Sequence, residues 1–387
     1  MLEGFASSYL SKENTPFLHS ISTDGILSTL EPLFAFRGIE ATLFTGLYPN
    51  QHDVWTEFCL EDHALENYRP NNLRTSQIES TFESFSLLFP NDRIRKVGRH
   101  CLQVLKREKT QMPHLIPVRS ASLFRPSLKG HIHEKNVLGN IPTLFDILRQ
   151  KGRSIVYVEQ ASVLCGSSIL MKIENSIKTN PENSIWYIKL CEHDAIGHEY
   201  GPNSQKMKNC LTRLDKEISK IVKALRSNSN NMSLLILSAH GMSNVKGTID
   251  LQKQLSQLDA RLYRDYIVFL DSTMARFWFL NGTAENEVKR LLMKLKHGHI
   301  VSNSEIEDAK IPTGEKHGEL IFALDEGYII HPSYFHASQI PRGMHGFAKS
   351  SSSDSSAPLI ALNVDIANLG KRIQYADVFD ILLETAG

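Results

Sequence analysis

Cys191-Glu-His-Asp-Ala-Ile-Gly-His-Glu-Tyr-Gly-Pro202 is the stretch on which the fold turns. It follows Ser184-Ile-Trp-Tyr-Ile-Lys-Leu190, an apolar, β-branched and aromatic run of the kind that forms a buried strand. As that run ends, Asp194 and His198 arrive four residues apart, a spacing that points both side chains the same way on one turn of helix. A carboxylate oxygen and an imidazole nitrogen suit zinc or a similar divalent ion. Two further turns carry histidine. Ser233-Leu-Leu-Ile-Leu-Ser238 runs into Ala239-His240-Gly241-Met242, and Gly343-Met344-His345-Gly346-Phe347 lies near the C-terminus. Three such turns after candidate strands are expected to converge at the carboxyl edge of one sheet, where open α/β folds hold their ligands.

The neighbouring elements alternate. Pro142 to Gly152 reads as a short helix with Pro at its start and Gly after it. Ser154 to Val158 reads as a strand. Gln205 to Arg226 carries Leu211, Leu214, Ile218, Ile221, Val222 and Leu225 at helical spacing. Residues 142–240 thus alternate helix and strand, the mark of a parallel sheet. Met1 to Phe5 reads as a strand end entering a turn, Thr15-Pro16 as a helix start, and Glu40 to Leu47 as a helix ending at Gly46. Leu359 to Val364 is a closing strand and Ala376 to Thr385 a closing helix.

Residues 56–140 lack a clear period and read as an excursion from the sheet. A second excursion, 261–340, holds strands at Tyr266–Leu270 and Ala275–Leu280 and a helix at Glu285–Lys296. It also holds a hairpin-like pair, Leu320–Ala323 and Tyr328–Ile330, about Asp325-Glu-Gly327. The expected fold class is α/β: one domain over 1–387, a mostly parallel central sheet flanked by helices, and inserted cap segments at 56–140 and 261–340.

Composition excludes some classes. The net charge of +1 makes no case for a nucleic-acid partner or an anionic membrane surface. No run of 18 apolar residues exists to span a bilayer, and the N-terminus lacks the regions of a signal peptide. Cys59, Cys101, Cys165, Cys191 and Cys210 are scattered without CxxC spacing, which reads as buried thiols of a reducing, cytoplasmic compartment.

With the turns laid out, the chain resembles the alkaline phosphatase superfamily, and within it the type I phosphodiesterase and nucleotide pyrophosphatase branch. The matching pieces are Phe44-Thr-Gly-Leu-Tyr-Pro-Asn-Gln-His52, Asp194-Ala-Ile-Gly-His-Glu-Tyr-Gly-Pro202, Ser238-Ala-His-Gly-Met242 and Gly343-Met-His-Gly346. They occur in the family's order and span most of the chain. The resemblance implies a divalent-metal centre, usually of two zinc ions, with a Ser or Thr nucleophile between them. One ion carries over onto Asp194, His198 and His345. The other is held in the family by an Asp after the first strand, the nucleophile, and an Asp-His pair. Here those positions read Glu3, Phe36 or Arg37, and Ala239-His240. The nucleophile is therefore unassigned, and the family's two-metal clamp is in question.

Alternatives stand beside each residue. Asp194, His198 and His345 form either a metal site or a polar cluster satisfied by its own hydrogen bonds. His240 contacts a metal, bonds His345 or is a relic, and Glu3 is a weak candidate ligand near a chain end. Arg37 offers a guanidinium fork to phosphate oxygens or fills the place of the absent ion, against the bland reading of a salt-bridged surface Arg. Thr42 and Thr45 read as helix or core residues and His52 as structural.

Two functions follow. The first is a metal-dependent phosphoric-ester hydrolase using one or two divalent ions, with a phosphorylated small molecule as substrate; Arg37 and His240 would then stabilise charged oxygens. The second is a catalytically degenerate relative, a pseudoenzyme that binds a phosphorylated ligand or a partner protein. A longer chain that supplies a first strand is a third expectation.

Overall fold

Branched and aromatic residues at two-residue spacing make the strands, and the sheet closes around Leu2. The structure is a computed structural model that describes residues 1–34, 36, 38–67, 115–121, 123–160, 167–180, 184–227, 232–336, 339–348, 356–364 and 371–386. The chain divides into two compact units. One comprises Met1–Trp55, Leu128–Val245 and Pro341–Gly387, and the other Thr56–Ser127 and Lys246–Ile340.

The first unit holds the central sheet, with strands β1 (Ile26–Leu30), β2 (Ile155–Glu159), β3 (Ile185–Lys189), β4 (Leu234–Leu237), β5 (Ala357–Leu362) and β6 (Arg372–Ile373). β2 and β3 pair in parallel, from Ile155 opposite Ile185 to Glu159 opposite Lys189. β5 is antiparallel to β1 and β4, and β1 is parallel to β6. Leu2 joins these pieces through parallel bridges to Leu190 and Ser238. Its N–H donates to Leu237 O at 2.8 Å, and Glu3 N–H donates to Leu190 O at 2.9 Å. The order is β2, β3, Leu2, β4, β5, β1, β6, and among the described residues only β5 runs against the rest. The mostly parallel α/β sheet expected from the sequence is what forms.

Four helices matter to the site: α1 (Pro16–Asp24), α2 (Gly38–Thr45), α3 (Glu192–Tyr200) and α4 (Gln205–Arg226). α4 begins where Ser204 Oγ accepts Met207 N–H at 3.1 Å. It buries Met207, Leu211, Leu214, Ile218, Ile221 and Val222 in a cluster with Leu2, Phe5, Val156 and Ile236. Burial of each such side chain is worth about 1.5–3 kcal/mol. Asp215, on the same helix, caps α1 from outside: its carboxylate accepts Phe17 N–H at 3.0 Å and Leu18 N–H at 2.8 Å. Thr15 makes no side-chain cap there. All eight residues of α2 are buried, so that helix has no solvent-exposed face.

In the second unit, antiparallel strands lie in the order Gly298–Ile300, Leu320–Leu324, Met274–Phe279, Tyr266–Leu270. Phe269, Phe277, Trp278 and Phe322 are fully buried in its core. The expected hairpin about Asp325-Glu-Gly327 does not form. Tyr328–Ile330 instead pairs in parallel with Gly247–Ile249. Both edges of Leu320–Leu324 are already taken, by Met274–Phe279 and Gly298–Ile300, so no edge is left for a hairpin partner. The excursions read from the sequence overlap this unit, while 128–140 belongs to the first unit and 246–260 to the second. Among the described residues no helix is long and apolar enough to cross a membrane.

Candidate metal centre

β3 ends at Lys189, the chain passes Leu190 and Cys191, and α3 begins. Asp194 and His198 stand one turn apart on α3, with Asp194 Oδ2 3.6 Å from His198 Nε2. His198 Nδ1 lies 2.9 Å from Gly343 O. A carbonyl only accepts, so Nδ1 carries the proton and Nε2 is the nitrogen turned to Asp194. Arg342 N–H also donates to His198 O, at 2.7 Å. A Cβ on Gly343 would sit 2.5 Å from Gly197 O, so only glycine lets this segment pass so close to α3. Gly343–Met344 pairs antiparallel with Ser243–Asn244, which ties the His345 turn to the His240 turn. The two imidazoles stack with centroids 3.5 Å apart and planes 13° apart.

The candidate ligand atoms of Asp194, His198 and His345 all lie within 4.8 Å of one another. Asp194 Oδ1 is buried and has no hydrogen-bond partner. A buried acceptor left unpaired costs about 1–3 kcal/mol, and more when charged, so this atom is compatible with a cation nearby. One carboxylate and two imidazoles fit zinc, and a cation at their centre would satisfy the orphan oxygen. Among the described residues this is the one such group of three.

Glu3 and His240 lie beside the triad and engage each other, Oε2 to Nε2 at 3.4 Å. His240 Nδ1 donates to Gly241 O at 2.9 Å. His240 thus has a carbonyl on one ring nitrogen and a carboxylate facing the other. Burial would lower the His240 pKa, but the Glu3 hydrogen bond and the Asp194 charge outweigh it and push it up. Burial likewise opposes ionisation of Glu3, yet His240 and Lys189 bring its pKa down to about 2. Lys189 Nζ is 2.9 Å from Glu3 Oε1 and 2.7 Å from Glu40 Oε1. Tyr187 OH donates to the same Glu40 oxygen at 3.0 Å. Burial opposes the Lys189 charge, but the two carboxylates raise its pKa.

The sequence profile of the type I phosphodiesterase / nucleotide pyrophosphatase family matches residues 1–348. The chain belongs to that family. Its family is one of divalent-metal-dependent hydrolases of phosphodiesterase and nucleotide pyrophosphatase type. Ectonucleotide pyrophosphatase/phosphodiesterase 1 of Saccharomyces cerevisiae is 24% identical over 322 residues, covering 74% of this chain and 39% of that protein. The chain therefore spans well under half the length of that relative. Murine ectonucleotide pyrophosphatase/phosphodiesterase 5 matches with a TM-score of 0.68 at 15% identity, over 100% of this chain and 93% of that one. An inactive form of the murine protein in complex with AMP matches with a TM-score of 0.67 at the same identity and coverage. These structural likenesses carry the fold.

Phe36, one of the two residues that the motif count brings to the nucleophile position, has its ring centroid 6.2 Å from that of His345. Arg37, the other candidate there, lies outside the described residues. Thr42 Oγ1 is engaged with His52 Nε2 at 3.1 Å, and Thr45 Oγ1 donates to Ala41 O at 2.6 Å, so both hydroxyls belong to the α2 packing. Ala239 is buried and supplies only backbone, its carbonyl accepting Tyr375 OH at 2.7 Å. Of the side chains that the resemblance assigns to a second ion, Glu3 and His240 face each other at 3.4 Å. Sequence reasoning missed Lys189 and Glu40. The signal was a lysine inside an apolar strand run and a lone acid in an apolar helix.

Proposed function

We propose that the chain is a metal-dependent phosphoric-ester hydrolase that holds one divalent cation on Asp194, His198 and His345 and acts on a nucleotide-like phosphorylated small molecule. The observation that carries it is the orphan oxygen of Asp194 inside a three-ligand cluster. A bound cation supplies charge to draw in and neutralise phosphoryl oxygens. The chain does the rest. His198 is oriented by Gly343 O, and His345 is held by stacking on His240, which in turn faces Glu3. A shallow cleft with an enclosed volume of only about 30 Å³ lies beside His240 and His345, with Pro32, Leu33 and Ile39 on its apolar wall. The AMP complex of the murine relative supports a nucleotide-like ligand.

Phe36 offers no hydroxyl at the counted position, so water is taken as the nucleophile and no phospho-enzyme is expected. The test is hydrolysis of a nitrophenyl phosphodiester before and after chelation, with acid quenching to trap phosphoprotein. Turnover lost on chelation, restored by zinc and cut roughly 10–100-fold or more in Asp194→Asn is the expected result. Turnover indifferent to chelation, or a trapped phosphoserine or phosphothreonine, overturns it. A second reading, a non-catalytic binder, is favoured by Phe36 and Ala239; metal-dependent AMP binding without turnover identifies it.

A further inference from the structure

We infer that the Lys189 ammonium, clamped between Glu3 and Glu40, takes the place of the family's second cation, so that the centre combines one divalent ion with one built-in positive charge. The inference deepens the proposed function and rests on it for the ion at the triad. Three observations carry it. Glu3 is the carboxylate that the resemblance assigns to the second ion, and both of its oxygens are engaged, Oε1 with Lys189 at 2.9 Å and Oε2 with His240 at 3.4 Å. Lys189 also holds Glu40 at 2.7 Å, and Tyr187 OH fixes that carboxylate at 3.0 Å. Ala239 removes a third donor.

Lys189, Glu3 and Glu40 are each largely buried, so the clamp is screened little by solvent. A divalent ion coordinated by Glu3 would sit a few ångströms from the ammonium and be repelled by it. The contacts continue from Glu3 through His240 to its stacking partner His345. An ammonium has no open coordination position. It balances charge and positions His240, but it cannot polarise a water or hold a leaving oxygen as a metal does.

The experiment is zinc stoichiometry, by equilibrium dialysis and elemental analysis, on the wild-type chain, Lys189→Met, Glu3→Gln and the Lys189→Met/Glu3→Gln pair. Lys189→Met removes the ammonium that holds Glu3 and Glu40 and leaves Glu3 facing His240. It is expected to bind one ion more per chain than wild type, and Glu3→Gln in the same background to remove that gain. In the wild-type background Glu3→Gln is expected to lose no zinc, because Glu3 holds a lysine. A folded Lys189→Met with unchanged stoichiometry overturns the inference. So does loss of an ion from Glu3→Gln alone, which decides the matter even if Lys189→Met does not fold. A wild-type chain that binds no zinc sinks the triad reading instead, and the extra ion in Lys189→Met still reports on Lys189.

Discussion

Gly4→Ala probes how finely the Asp194 carboxylate is placed. Gly4 has φ +70°, and a Cβ there would lie 2.6 Å from Asp194 Oδ1 and 3.2 Å from Asp194 Cβ. Two costs add. A left-handed backbone costs an L residue about 1–2 kcal/mol. Forcing a packed neighbour aside costs about 1–3 kcal/mol more. Gly152, which follows the Leu144–Gln150 helix, separates the two, because its φ is +71° and nothing lies within 4 Å of the added Cβ. Gly152→Ala should therefore cost only about 1–2 kcal/mol and leave zinc affinity alone. Gly4→Ala should cost about 2–5 kcal/mol in total. It should also weaken zinc binding roughly 10–100-fold, as loss of a supporting contact does. Urea unfolding in chelator measures the first quantity, and calorimetric zinc titration the second. Equal destabilisation by the two substitutions, or wild-type zinc affinity in Gly4→Ala, would show that Asp194 is not a rigidly placed ligand.

His52 makes acid stability fall early. Val54 N–H donates to its Nδ1 at 3.2 Å and its Nε2 meets Thr42 Oγ1 at 3.1 Å, which is the neutral ring, and burial brings its pKa down to about 4. The folded value lies below the unfolded one of about 6.5, so this contribution is full above about pH 6.5 and is lost as pH falls toward 4, in all about 3 kcal/mol. His52→Gln should flatten that part of the stability–pH curve, and an unchanged slope would assign the loss to other groups. Asp215→Ala leaves the Phe17 and Leu18 amides without their acceptor and should cost about 2 kcal/mol in denaturant unfolding. A cost below about 0.5 kcal/mol would mean that water caps α1 equally well.

Much of the fold was legible because its signals are local. The β3 run, the Asp194–His198 spacing and the apolar stripe of α4 each lie within one element, and each forms where its period says. Leu2 was legible only as a strand end. Its place between β3 and β4 depends on residues 188 and 236 positions away. The Lys189–Glu40 contact joins residues 149 apart and leaves no periodic trace. Tyr328–Ile330 misled because its short turn looked like a hairpin loop, while the competing pairing with Gly247–Ile249 lay far upstream. The triad was legible from its motifs, but the orphan oxygen that favours a cation emerged only from the packing around Asp194.

One divalent ion on Asp194, His198 and His345 is most directly tested by anomalous diffraction at the zinc edge from crystals grown in zinc. The expected map has a single strong peak among these three side chains, with ligand bonds of about 2.0–2.2 Å and no peak beside Glu3. No peak at saturating zinc, a peak at Glu3 and His240 instead, or two peaks a few ångströms apart would contradict it.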